Sequence, residues 1–431
     1  MKTKDLLFSY IDNAEALAVE LETQLCKFPS ISPDSEGEGE YDKAIWLENW
    51  LKKQGFPVER IDIRDERAKG GIRPNLVVDL TAGSITDTAA IKAPCLWIMS
   101  HLDVVPPGEM SLWDSDPWTL IRKDDDPLGP RLIGRGVEDN QQGLTSSLIA
   151  AMAFKESGLV PGRPVKLLFC ADEECGSVYG MSALLKERPT GISGRELFGK
   201  NDLVLIPDGG DPKGETIEIA EKSLLWLEFT TRGKQAHGSR PDLGANANLA
   251  GAELAVRLHQ ELHGIFNIRN PLFMPDYSTF EPTKKTANVP NINTIPGEDR
   301  FCMDMRILPD YPVEMIIKEI DRIKAEIETK HRVTISYSPA QRADSQATPE
   351  NSPLVGLLSK AVKTVYGIDT RLIGMGGATV ASFLRNIGIH CAVWCRINDS
   401  AHQPNEYALI ANILGDAKVM ALLMSGDQND K

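Results

Sequence analysis

Short apolar runs with strand character alternate with amphipathic helical patterns through the first half of this chain, which points to an α/β sheet with parallel strand pairs. Strands are predicted at 75–80, 93–99, 165–171 and 202–206, and helices at about 12–28, 41–54, 142–156 and 178–186. Ligands of such sheets gather beyond the C-terminal strand ends. His101, Glu173, Glu174 and Asp208 all fall at such ends. The expected fold is α/β, a mixed and mostly parallel sheet flanked by helices.

The pattern changes near 222. A strand at 223–231, a helix at about 246–263, a strand at 300–307, a helix at 312–329 and a strand at 332–338 read as a small α+β insertion. A helix at 353–366 and an apolar strand at 389–395 then return to the first pattern. The expected division is a larger domain in two parts, 1–222 and 341–431, interrupted by a smaller one at 223–340.

A net charge of −14 argues against nucleic acid or an anionic membrane as partner. No secretory signal and no apolar run near the roughly 20 residues that cross a bilayer is expected. The seven cysteines are scattered without a CxxC pair, which suits reduced thiols and a cytoplasmic setting.

Glu173-Glu174 is the most telling pair, because neighbouring carboxylates repel unless a cation or a proton neutralises one of them. Glu174 reads as a metal ligand and Glu173 as the base beside it. His101 and Asp103, two apart at a strand end, point to one side, so the acid can accept the imidazole's second N–H. Asp139 lies in a Gly-rich loop where a carboxylate could bridge two cations about 3.5–4 Å apart. His402 follows the strand at 389–395. Each residue has an ordinary alternative: a satisfied histidine, a turn aspartate at 139 or 208, a surface-loop histidine, or an acidic first helical turn at 172–174. Their common position at strand ends favours a site holding two metals.

Two other patterns carry less. His259 and His263 have zinc-compatible i,i+4 spacing, but the HExxH order is absent and a solvent-facing helix is expected. Gly374-Met-Gly-Gly377 lacks the Lys-Ser/Thr of a phosphate loop and fits a close approach to substrate or metal better.

The chain resembles the zinc aminoacylase/carboxypeptidase G metallopeptidase family, which includes acetylornithine deacetylase, succinyl-diaminopimelate desuccinylase and several dipeptidases. The matching residues are His101-Leu-Asp-Val-Val-Pro106, Trp113 with Asp116-Pro-Trp118, Gly134-Arg-Gly136 with Asp139, Asp172-Glu-Glu-Cys-Gly176, Gly233 to His237 and Pro241, Asn293-Thr-Ile-Pro296 with Asp304-Met-Arg306, Gly376-Gly377, and His402 with Glu406. The resemblance implies a di-zinc aminopeptidase-like fold with a lid/dimerisation domain, and two Zn2+ per chain, with Co2+ or Mn2+ able to substitute. Asp139 would bridge them, with His101 and Asp208 completing one site and Glu174 and His402 the other. Glu173 would shuttle the proton, Asp103 would orient His101, and His237 would stabilise the oxyanion, often across a homodimer interface. Arg306 would clamp a carboxylate, with Asn293, Gly376 and Gly377 lining the pocket. The chain departs from the family after the bridging acid, where Asn140-Gln-Gln-Gly143 replaces x-Lys-Gly, and carries additions near 61–92 and 111–130.

The activity implied is hydrolysis of an N-acyl amino acid, the alternative being a dipeptidase or carboxypeptidase acting on short peptides with a free carboxylate. Serine hydrolysis lacks a Gly-x-Ser-x-Gly elbow. A metal-binding scaffold without catalysis would be expected to lack the base, yet Glu173 is present.

Overall fold

The computed structural model describes residues 2–82, 92–124, 127, 129–187, 197–377 and 379–426. Of the additions expected near 61–92 and 111–130, residues 83–91, 125, 126 and 128 lie outside these. The chain forms two compact units, one of residues 1–219, 348–372 and 383–431, the other of 220–347 and 373–382.

An eight-stranded mixed sheet runs in the order Val58–Arg64, Ile72–Asp79, Val165–Cys170, Leu96–His101, Leu203–Asp211, His390–Arg396, Thr216–Glu221, Arg371–Met375. Its four central strands, Val165–Cys170 to His390–Arg396, are mutually parallel. Leu96–His101 is buried along its whole length and Val165–Cys170 along nearly all of it, as expected where both faces of a parallel sheet are covered. Leu203–Asp211 is buried through Pro207 and opens from Asp208 onward. Helix Gln142–Glu156 packs against both Ile410–Ser425 and the sheet, and thirteen of its fifteen residues are buried. A helix buried nearly all round belongs inside a core, and its polar Ser146 and Ser147 bond main-chain carbonyls there.

Val58–Arg64 and Thr216–Glu221 were not expected from sequence. The first alternates buried Ile61 and Ile63 with exposed polar residues, a half-covered edge pattern. Asp172–Gly180 is a run of turns and the following helix begins at Met181, later than expected, so the acidic pair is not a first helical turn.

The second unit holds an antiparallel sheet ordered Thr279–Thr286, Glu298–Ile307, Ser223–Arg232, Thr334–Ala343. Helices Ala247–Ile265 and Val313–His331 pack on it through Leu254, Leu258, Leu262, Ile316, Ile320 and Ile323. Thr279–Thr286 also escaped the sequence reading, since Pro282 and two lysines suit only an edge strand. All seven cysteines are free. Among the described residues no helix is long and apolar enough to cross a membrane.

Candidate metal centre

The parallel strand ends bring His101, Asp103, Asp139, Glu173, Glu174, Asp208 and His402 into the first unit. His101 closes its strand, and its main-chain N–H donates to Asn140 Oδ1 at 3.1 Å. Its Nδ1 donates to the Asp103 carbonyl at 2.9 Å, with the Asp103 carboxylate further off at 3.5 Å. That fixes the tautomer with Nε2 basic. Nε2 faces Asp139 Oδ1 at 2.9 Å and Asp208 Oδ1 at 3.4 Å.

Asp103 does more than flank the histidine. Its two carboxylate oxygens accept the main-chain N–H groups of Glu173 and Glu174, each at 3.0 Å, and so set the turn that carries the acidic pair. Behind it, buried Arg73 bonds Glu40, and also Asp172 at 3.2 Å, while Asp172 takes a positive φ of 64°. The turn is therefore held by side chains on both sides rather than by helix hydrogen bonds.

Asp139 lies in the irregular segment Val137–Gln141, and its peptide bond to Asn140 is cis. Asn140 Nδ2 donates to the Pro207 carbonyl at 3.2 Å, tying this loop to the strand end that bears Asp208. The fully buried Glu406 carboxylate accepts from Arg135, Gly136, Glu138 and Asp139. Glu138 in turn accepts from the main chain of Asn398 and Ser400, which positions the loop of His402. His402 Nε2 then meets Asp139 Oδ2 at 3.1 Å and Glu174 at 3.3 Å. Sequence reading missed Asn140 and Glu138, and it gave Glu406 no role. Their polar types in an irregular loop were the only signal.

The two oxygens of Asp139 thus each face a different imidazole. Ligand atoms of His101, Asp139 and Glu174 lie within 4.8 Å of one another, as do those of His101, Glu173 and Asp208. Burial pushes Asp208 up to about 7, with His101 opposing and Asp139 adding to the rise. Burial, then Asp208, raises Glu173 well above the carboxylate range, and burial raises Glu174. Hydrogen bonds to Asp139 and Glu174 lift His402 to about 10. So many acids this close need positive charge among them, and two imidazoles with carboxylate donors suit divalent ions such as zinc.

Ion binding should therefore depend on pH. A divalent ion must displace the protons on Asp208 and His402, so affinity is expected to rise with pH from about 6 up to about 10. Calorimetry in two buffers of different ionisation heat should show proton release on binding. Binding without proton release would contradict the electrostatics described.

His237, Asn293, Arg306, Gly376 and Gly377 lie in the second unit. Two-residue strands pair His237 with Thr294, and Gly238 N–H donates to the Asn293 carbonyl at 2.6 Å, so His237 and Asn293 are neighbours. Arg306 donates to both oxygens of Asp304, at 2.7 and 3.1 Å, and to the Gly376 carbonyl at 2.9 Å.

An uncharacterized metallohydrolase of Methanocaldococcus jannaschii is 37% identical over 416 residues, covering 93% of this chain and 97% of its own. A succinyl-diaminopimelate desuccinylase of Cereibacter sphaeroides is 27% identical over 399 residues, covering 92% and 94%. Among solved structures, aminopeptidase PepT from Bacillus cereus superposes with a TM-score of 0.73 at 18% identity, covering 97% of this chain and 99% of its own. The di-peptidase Dug1p from Saccharomyces cerevisiae gives 0.68 at 18% identity, covering 100% of both chains. At such identities the two structures speak for the fold alone. Residues 97–426 match Peptidase family M20/M25/M40, and the chain belongs to that family of metal-dependent hydrolases.

Proposed function

We propose that this enzyme is a di-zinc amidohydrolase that removes the acyl group from an N-acyl amino acid. The observation that carries the reading is Asp139 placed between His101 and His402, one carboxylate oxygen to each imidazole. His101 and Asp208 would hold one ion, His402 and Glu174 the other, with Asp139 shared between them. Bound zinc supplies a lowered water pKa, near about 7, and polarises a carbonyl. Glu173 takes a proton from the attacking water on its carboxylate and delivers it to the departing amine nitrogen. Burial favours its protonated form, through which such a shuttle must pass.

Arg306 is assigned to the substrate's free carboxylate, with Asn293, Gly376 and Gly377 around it and His237 on the developing oxyanion. Asp304 and Gly376 hold the guanidinium rigid, and its carbon stands 5.7 Å from the centre of the Trp226 ring. A fixed planar fork loses little entropy on meeting a carboxylate. Arg306→Ala is expected to lower kcat/KM by about 10- to 100-fold, the worth of one charge-assisted pair, mostly through KM. Unchanged KM and kcat for substrates with a free carboxylate would remove Arg306 from this role.

Desuccinylase relatives favour the deacylase reading, and peptide cleavage is the second, because a carboxylate clamp at Arg306 would serve both. A screen pairing N-acetyl and N-succinyl amino acids with dipeptides, under zinc, cobalt and manganese in turn, decides between them. Cleavage confined to dipeptides would overturn the deacylase assignment. We assign the enzyme to the cytoplasm and the inserted segment 223–340 to homodimer formation, which light scattering on the full chain tests.

A further inference from the structure

The second unit carries a separate cluster with metal-ligand chemistry that shares no residue with the His101 centre. Helix Ala247–Ile265 buries Leu258 and Leu262 one turn apart. His259 and His263 each follow one of these leucines, so both imidazoles stand on the helix flank bordering the buried stripe. The neighbouring strand Thr279–Thr286 buries Phe280 beneath them and presents Glu281 beside them.

Both imidazoles are oriented. His263 Nδ1 donates to the His259 carbonyl at 2.7 Å, and its ring meets Phe280 edge-on with centroids 5.2 Å apart. His259 Nδ1 donates to the Phe280 carbonyl at 2.9 Å. His263 therefore keeps Nε2 as the nitrogen with a free lone pair, the arrangement in which ligating histidines are usually found. His259 instead turns Nδ1 towards Glu281, 3.6 Å from its Oε2, and ligation by that atom would exchange its bond to the Phe280 carbonyl for the ion. One ring nitrogen of each histidine and one Glu281 oxygen lie within 4.8 Å of one another. His263 Nε2 stands 3.8 Å from Glu281 Oε1, too far for a hydrogen bond and close to the separation of two ligands on one tetrahedral ion, about 3.3–3.6 Å for bonds of 2.0–2.2 Å.

The HExxH order is absent because Gln260 follows His259, and Glu261 is occupied elsewhere, pairing with Arg257 at 2.6 Å and Arg322 at 2.7 Å. Glu281, from the adjacent strand, offers a carboxylate as the third ligand. Among the described residues no lysine or arginine neutralises it; its ion-pair neighbours are the two histidines. The side chains are 43%, 27% and 52% exposed for His259, His263 and Glu281, so an ion could enter and keep water in its remaining position.

We propose that His259, His263 and Glu281 form a second metal site, binding one divalent transition ion of the zinc, nickel or copper class and pinning the helix to the edge strand. The test is metal content of the full chain after equilibration with micromolar free zinc. His263→Gln, His259→Gln and Glu281→Gln are each compared with the unaltered chain, with circular dichroism as the folding control. The expected result is one zinc ion per chain fewer in the folded variants, whatever number the His101 centre retains, so failure here is separable from failure of the di-zinc reading. Metal content equal to that of the unaltered chain in the folded variants would overturn the proposal. Should one substitution disturb folding, the other two decide.

Discussion

Glu173→Gln is expected to lower kcat by about 10²–10⁴-fold, the usual worth of a positioned general base, while leaving ion content unchanged. The substitution spares the framework of the site. Glutamine keeps the main-chain N–H that donates to Asp103 at 3.0 Å, so the turn and Glu174 beside it stay in place. The carboxylate facing His402 belongs to Glu174, and the one between the two imidazoles to Asp139. Only a group able to accept and return a proton disappears. The substitution also separates two readings of the same geometry, because Glu173 shares a 4.8 Å cluster with His101 and Asp208. Were Glu173 a ligand, the variant would bind one ion fewer or bind it more weakly. Stopped-flow turnover and metal analysis on the same sample check both points. A kcat near that of the unaltered enzyme would remove Glu173 from proton transfer.

The positions of the site were legible where strand periodicity carried them. His101, Asp208 and the acidic pair each come after an apolar run, and a buried parallel strand delivers the residues at its C-terminal end to one edge of the sheet. Less legible was everything that depends on a long-range hydrogen bond. Asp103 was expected to orient His101 through its carboxylate, which stands 3.5 Å from Nδ1 and also accepts the amides of residues 173 and 174, about seventy positions away, while the carbonyl of Asp103 meets the imidazole more closely. Periodicity says which face a side chain takes, but not which distant donor waits there. Asn140 and Glu138 were invisible for the same reason: their partners are Pro207, Asn398 and Ser400. Edge strands were lost for a different reason. Thr279–Thr286 has one buried residue, Phe280, and no apolar alternation to detect, since its place depends on a ladder with Glu298–Ile307.

Glu406→Gln should be the most destabilising single change near the site, by about 3–5 kcal/mol, as when one member of a buried ion pair is removed. The carboxylate is fully buried and spends both oxygens on the loop that carries Asp139. One accepts Arg135 Nη1 at 2.5 Å and Gly136 N–H at 3.0 Å; the other accepts the N–H groups of Glu138 at 2.9 Å and Asp139 at 3.0 Å. Arg135 is itself only 1% exposed, and its Nε and Nη2 make no hydrogen bond among the described residues. The face of Trp113, 5.2 Å from the guanidinium carbon, offers it only a weak second partner. A neutral amide would leave that cation nearly unpaired in a low dielectric, and would turn an N–H donor towards backbone N–H groups that need an acceptor. Glu138→Gln is the internal comparison. Its carboxylate also accepts main-chain N–H groups, but from Asn398 and Ser400 and with no buried cation at stake, so a smaller loss of about 1–3 kcal/mol is expected. Urea unfolding of both variants gives the order, and metal titration should show weaker ion binding in Glu406→Gln because the main chain of Asp139 has lost its acceptor. If Glu406→Gln unfolds at the same urea concentration as the unaltered protein, Arg135 is compensated elsewhere and the carboxylate does not hold the loop that carries Asp139.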